Sequence, residues 1–128
     1  MVPTDVRYHK EHEWIRTEGN RARLGISHFA QDALGDIVFI ELPKAGTKVS
    51  AGQQIGEVES TKTTSSIYSP VSGTVVEING ALKDHPETVN ADPYGKGWMV
   101  VLELSAPSEV DALMSAAQYE AYLNSQKK

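Results

Sequence analysis

The sequence predicts a mainly β domain of many short strands carrying two helices, and three observations point there. Turn-forming residues recur at short intervals, at Glu18-Gly19-Asn20, Gly35-Asp36, Pro43-Lys44-Ala45-Gly46, Ala51-Gly52, Ser69-Pro70, Ser72-Gly73, Asn79-Gly80, Asp92-Pro93 and Gly95-Lys96-Gly97, which leaves room for strands rather than long helices. The segments between them are β-branched or aromatic and alternate in polarity, as half-buried pleated surfaces require. No Gly/Ser or Pro-rich linker divides the 128 residues, and 40% apolar side chains suffice for one core, so residues 1–128 read as a single domain.

The elements follow in order. Residues 9–12 read as extended chain, which sends His9 and His12 to opposite faces. Ser27 is suited to cap a helix of one or two turns over 28–34, and Gly35 tolerates the positive φ that ends it. Strands are expected at Ile37-Val38-Phe39-Ile40, Gln54-Ile55-Gly56-Glu57-Val58, Gly73-Thr74-Val75-Val76-Glu77-Ile78 and Trp98-Met99-Val100-Val101-Leu102-Glu103-Leu104. Residues 46–59 and 73–80 echo each other weakly, each starting at a Gly and alternating apolar with polar. Between them lies the polar stretch Ser60 to Ser66, so the centre reads as a hairpin with a hydrophilic tip. At the end of the chain Ser108 and Asp111 resemble a capping box after Pro107, and Val110, Leu113, Met114, Ala117 and Ala121 form a stripe. A helix over about 108–125 should lie on the sheet, with Lys127 and Lys128 near its negative end.

Composition excludes several functions. Twelve basic against seventeen acidic side chains give a net charge of −5 and no local basic patch, so nucleic acid is set aside. The absence of cysteine removes disulfides, a thiolate nucleophile, Cys-ligated zinc and Cys-held iron–sulfur clusters, so redox chemistry would have to be imported. Nothing approaches the ~20 apolar residues of a membrane span, and Met1 to Asp5 has neither a signal-peptide nor a transit-peptide pattern. The expected location is bacterial cytoplasm, or the mitochondrial matrix for a processed eukaryotic chain.

Four histidines raise the question of metal. His9-Lys10-Glu11-His12 is one residue short of His-x-x-Glu-His, and no His-Glu-x-x-His occurs, so no metal site is expected. His28 and His85 read as surface residues, and Trp14 and Trp98 as core anchors rather than ligand stackers. Neither a dinucleotide fingerprint, a P-loop nor a nucleophile elbow is present, and Gly95-Lys96-Gly97 is a tight turn rather than a phosphate cradle. No catalytic residue is therefore assigned.

The hairpin tip carries the chemistry. Glu59-Ser60-Thr61-Lys62-Thr63-Thr64-Ser65-Ser66 sets one of eight lysines among small polar neighbours at a turn. An unassisted lysine amine, titrating near 10.4, is a poor catalyst at neutral pH, but it is a good acceptor for an activated carboxyl group, and the product is a stable amide.

Glu59-Ser60-Thr61-Lys62 followed by Ile67-Tyr68-Ser69-Pro70-Val71-Ser72-Gly73 resembles the lipoyl-attachment motif of the glycine cleavage system H proteins. The likeness extends along nearly the whole chain through His12-Glu13-Trp14, Gly25-Ile26-Ser27, Ala30-Gln31-Asp32, Leu34-Gly35-Asp36-Ile37-Val38-Phe39, Glu41-Leu42-Pro43, Pro93-Tyr94 and Gly97-Trp98-Met99. The resemblance implies a barrel-sandwich hybrid with lipoate in amide linkage on Lys62 and Glu59 in the attachment motif. It implies a non-catalytic carrier that takes the aminomethyl group of glycine from a pyridoxal-phosphate glycine decarboxylase to a tetrahydrofolate-dependent aminomethyltransferase. Its dithiol is then presented to dihydrolipoyl dehydrogenase, and a lipoate ligase or a lipoyl/octanoyl transferase loads it. A carrier that meets several enzymes is expected to be a monomer that docks transiently.

Departures from the family pattern fall beside the lysine. Thr61 stands where Val is usual, and Ser66 where an acid is usual. With that carboxylate missing, Glu13 becomes the candidate for pairing with the amine of the loaded arm, ahead of Asp32, a polar residue of the short helix. These departures leave room for two alternatives: an H-like relay that donates lipoyl groups to other lipoyl domains, and an unmodified β scaffold. A biotin carrier is disfavoured because Lys62 lies between threonines rather than methionines.

Overall fold

In the computed structural model, residues 3–126 are described. Among these residues nine strands form two antiparallel sheets. The larger runs in the order β1 (Arg7–Tyr8), β2 (Glu13–Glu18), β3 (Arg21–Ile26), β9 (Val100–Leu104), β8 (Gly73–Ile78), β5 (Lys48–Val49). The smaller has β6 (Gln54–Ser60) between β4 (Ile37–Glu41) and β7 (Thr64–Tyr68). The sheets bury their facing apolar sides in one core, to which Ile15, Leu24, Val75 and Leu102 come from the larger sheet and Ile40, Val58 and Ile67 from the smaller. All four strand segments read from the sequence are present within a residue or two. The mainly β architecture stands as expected.

Helix α1 (His28–Leu34) is also where it was expected, for the expected reasons. The Ser27 hydroxyl accepts the Ala30 N–H, and Gly35 ends the helix at φ +84°, a backbone angle that side chains disfavour. Two four-residue helices, α2 (Ala81–Asp84) and α3 (Thr88–Ala91), were not anticipated. Each is a single turn that buries one side chain, Leu82 and Val89, too short to show a periodicity in sequence.

The C-terminal helix needs correction. Pro107–Ala112 is a 3-10 helix, Leu113 is extended, and Met114 bridges to Tyr8, so helix α4 begins only at Ala116 and runs Ala116–Gln126. Ser108 and Asp111 therefore cap no α-helix. The backbone exchange between Tyr8 and Met114, at 2.8 and 2.9 Å, pulls the chain straight between the two helical pieces. The expected stripe shifts with it. Ala117 and Ala121 face solvent, while Ala116, Tyr119, Tyr122 and Leu123 pack into a second cluster with Val6, Tyr8 and Trp14, because the aromatic rings offer more apolar area than the alanines. Lys127 and Lys128 lie outside the described residues.

The chain at 9–12 is also not extended. It turns, with the His12 N–H donating to the His9 carbonyl at 2.9 Å and His12 held at φ +77°. This turn, rather than strand alternation, separates the two imidazoles.

Candidate functional site

Strands β6 and β7 form a hairpin whose turn is Thr61-Lys62-Thr63, and one hydroxyl organises it. The buried Ser60 Oγ accepts the N–H groups of Lys62 at 3.3 Å and Thr63 at 3.1 Å, and donates to the Thr63 carbonyl at 3.1 Å. The Ser60 N–H closes the same turn on that carbonyl at 2.8 Å. A further bond, from the Thr61 N–H to the Asp36 carbonyl at 3.0 Å, ties the crest to the segment joining α1 to β4. Small side chains around the turn leave Lys62 exposed, and among the described residues it has no ion-pair partner. Gly35 lies beside its stem: a Cβ there would stand 3.6 Å from Lys62 Cε.

Glu59, the residue preceding Ser60, is exposed on the outer face of the smaller sheet, opposite Phe39 on one side and Thr64 on the other. Ser66 lies opposite Glu57 on that face. The position that lacks its usual acid therefore has a carboxylate as its cross-strand neighbour.

Glu13 occupies a different setting. At 1% exposure it is the one buried acid among the described residues, and both its oxygens are engaged, Oε1 with His9 Nδ1 at 2.8 Å and Oε2 accepting the Tyr68 N–H at 3.0 Å. It thus joins the first residue of β2 to the last residue of β7, across the two sheets. Burial pushes its carboxyl up from the usual range, while the bonds from His9 and Tyr68 pull it back. Strand β7 rises about 3.3 Å per residue, roughly 13 Å over its four steps from Thr64 to Tyr68, so Glu13 sits at the end of the hairpin away from the Lys62 turn.

What sequence reasoning missed is the neighbourhood of Glu13. His9, weighed there only as a metal ligand, is its partner. His12 Nδ1 meets the Tyr119 hydroxyl at 2.8 Å, and that hydroxyl meets Ser27 Oγ at 2.8 Å. Burial lowers the His12 pKa and pushes the Tyr119 phenol up to about 12. The only available signal was the adjacency of His12 to Glu13 and of Ser27 to Ile26. Tyr119 is more than ninety residues away and could not be linked to them by spacing. Asp32 is exposed on α1, His28 bonds Gln31, and His85 stands beside Glu87. Trp14 is fully buried, with Nε1 donating to the Ile26 and Pro93 carbonyls at 3.0 Å each, and half-buried Trp98 lies under the Arg23 guanidinium.

The family model described as glycine cleavage H-protein matches residues 6–126. The chain is 56% identical over 123 residues to the glycine cleavage system H protein of Geobacillus kaustophilus, covering 96% of this chain and 97% of that one. It is 56% identical over 119 residues to the protein of the same name from Bacillus subtilis, covering 93% and 94%. The crystal structure of a glycine cleavage system H protein from Mycobacterium marinum superposes with a TM-score of 0.90 at 42% identity, covering 96% of this chain and 99% of that chain. With a turn-borne amine, a two-sheet sandwich and relatives matched over more than nine-tenths of their length, the chain belongs to the glycine cleavage H-protein family, the non-catalytic carrier components of the glycine cleavage system.

Proposed function

We propose that this chain carries lipoate as an amide on Lys62, that Glu59 belongs to the feature by which the loading enzyme recognises the hairpin, and that Glu13 provides the carboxylate toward which the loaded arm is held. The carrying observation is an exposed primary amine on a turn whose backbone is held by a buried hydroxyl. An acceptor needs access for the acyl donor and a fixed base for what it then carries, and Lys62 has both. The group supplies a disulfide that can be reduced and reoxidised and a sulfur that can hold a one-carbon unit, chemistry that a chain without cysteine lacks.

Ser60 fixes the direction of the Lys62 stem, and Gly35 leaves the space beside Cε open. Glu13 supports the third part of the reading because its ionised form is disfavoured by burial. A cation brought beside it would offset that penalty. The same reading makes the protein a single carrier domain over 1–128 that works with the pyridoxal-phosphate glycine decarboxylase, the aminomethyltransferase and dihydrolipoyl dehydrogenase. It also places the protein in a bacterial cytoplasm, a reading supported by the bacterial origin of its relatives.

Intact mass after co-expression with a lipoate ligase tests the assignment. Wild type should gain one lipoyl mass and Lys62→Arg none, since arginine keeps the charge but has no acylatable amine. Gain in both, or in neither, removes Lys62 as the attachment residue.

A further inference from the structure

The outer face of the smaller sheet contains an irregularity beside Lys62. Between β4 and β6 the register runs Ile37 to Ser60 and then Phe39 to Glu59, so Val38 is an extra residue in a β-bulge. The bulge breaks the in-out alternation. Ile37 and Ile40 point into the core, whereas Val38 and Phe39 both project outward and are each 50% exposed. They are the two most exposed large apolar side chains among the described residues, and they stand next to the strand that leads into the Lys62 turn. Bulges concentrate beside functional sites because they re-aim side chains in this way.

The residues around Phe39 carry one sign of charge. Glu59 lies directly opposite it, Glu41 follows two positions on along β4, and Glu41 is itself directly opposite Glu57. Like charges directly opposite in a ladder oppose folding. Phe39, Glu41, Glu57 and Glu59 therefore form an apolar knob among three carboxylates, continuous with the turn that presents the amine.

We propose that this face is the docking surface for the enzyme that acylates Lys62, with Phe39 seated in an apolar pocket of that enzyme and Glu41 and Glu57 facing its basic rim. The proposal rests on the lipoylation reading of Lys62. Two arguments select this occupant. The loading enzyme meets the chain before any arm exists, so it must recognise the hairpin and its flank alone. Of the two loading classes the ligase is the occupant proposed: it activates a carboxylate as an adenylate with ATP, and the cationic groups that attract phosphate oxygens to its active-site mouth complement a ring of carboxylates. In the step itself the Nζ–acyl bond forms, the bond from acyl carbon to phosphate oxygen breaks, AMP leaves with that electron pair, and the amine gives up a proton to solvent.

The test is steady-state loading of the unmodified chain by lipoate ligase with ATP and lipoate, followed by intact mass, for wild type, Phe39→Ser, Glu41→Gln with Glu57→Gln, and Ile78→Ser. Ile78 is 37% exposed on β8, in the other sheet, and serves as the control. Phe39→Ser should raise KM for the chain about tenfold with kcat within about twofold, the effect of losing one buried anchor. The double glutamine variant should raise KM and flatten its salt dependence, and Ile78→Ser should match wild type. Wild-type KM in both test variants overturns the docking surface while leaving Lys62 as the acceptor. No mass gain in wild type removes the Lys62 reading itself. A concentration-dependent dimer that Phe39→Ser abolishes, with unchanged loading, overturns the proposal in favour of a second copy of the chain.

Discussion

Replacing Glu13 by alanine removes a carboxylate of the larger sheet that accepts a hydrogen bond from the smaller. The loss is worked from its two partners. A hydrogen bond to a charged group contributes about 1.5–3 kcal/mol, and a donor left without a partner inside the protein costs about 1–3 kcal/mol. Against these stands the penalty of holding an ionised group at 1% exposure, visible in the upward shift of its carboxyl. Breaking such a buried arrangement from one side costs about 3 kcal/mol. With a urea slope of about 1.5 kcal/mol/M, the midpoint should fall by about 2 M. Glu13→Gln keeps an acceptor for the Tyr68 N–H and places an amide near His9, so it should lie within about 1 kcal/mol of wild type at neutral pH.

The comparison with glutamine also has a sign in pH. Because burial raises the folded carboxyl, the folded chain holds a proton that the unfolded chain has released. Wild-type stability relative to Glu13→Gln should therefore be greatest below the ordinary glutamate range, fall as pH rises through the raised folded value, and be flat above it. Urea melts from pH 3 to 8 on the three proteins measure this. An alanine variant with the wild-type midpoint, or a wild-type-minus-glutamine difference independent of pH, refutes the argument that Glu13 is a buried, strained tie between the sheets.

Two further outcomes are expected. Ser60→Ala removes the acceptor for two turn N–H groups that can turn to water, so it should cost only about 1 kcal/mol in urea unfolding yet markedly accelerate amide exchange at Lys62 and Thr63; unchanged exchange would show that the hydroxyl does not hold the turn. Gly25→Ala puts a Cβ 2.8–2.9 Å from three atoms of the Trp14 indole, which its two carbonyl partners prevent from moving aside, so it should destabilise by about 1–3 kcal/mol and lower the thermal midpoint by roughly 3–10 °C. A midpoint equal to wild type would mean that the indole has room to shift.

The parts of this molecule legible in sequence are those whose causes are local. Ser27 and Gly35 announce both ends of α1 within nine residues, and the strands announce themselves by alternation. Lys62 stood out because the residues around it are all small and polar. What was hidden depends on distant pairing. The Tyr8 to Met114 bridge, which splits the C-terminal segment into two helical pieces, joins residues more than a hundred positions apart, and neither Ser108 nor Asp111 registers it. The burial of Glu13 is equally hidden, since nothing nearby in sequence shows that Tyr68 brings an N–H to it. Val38 and Phe39 read as ordinary strand residues until the pairing with Glu59 and Ser60 exposed the bulge.

The closure of the Lys62 turn by a single serine bears on how motion is distributed. Since Ser60 and the Asp36 carbonyl already hold the backbone at the crest, swivelling is confined to bonds beyond the lysine Cα. The body then acts as a rigid handle with one flexible leash. An enzyme that grips the handle has no loop left to immobilise, and so loses little conformational entropy on engagement. Successive enzymes can each capture the leash in a different posture without reshaping the handle.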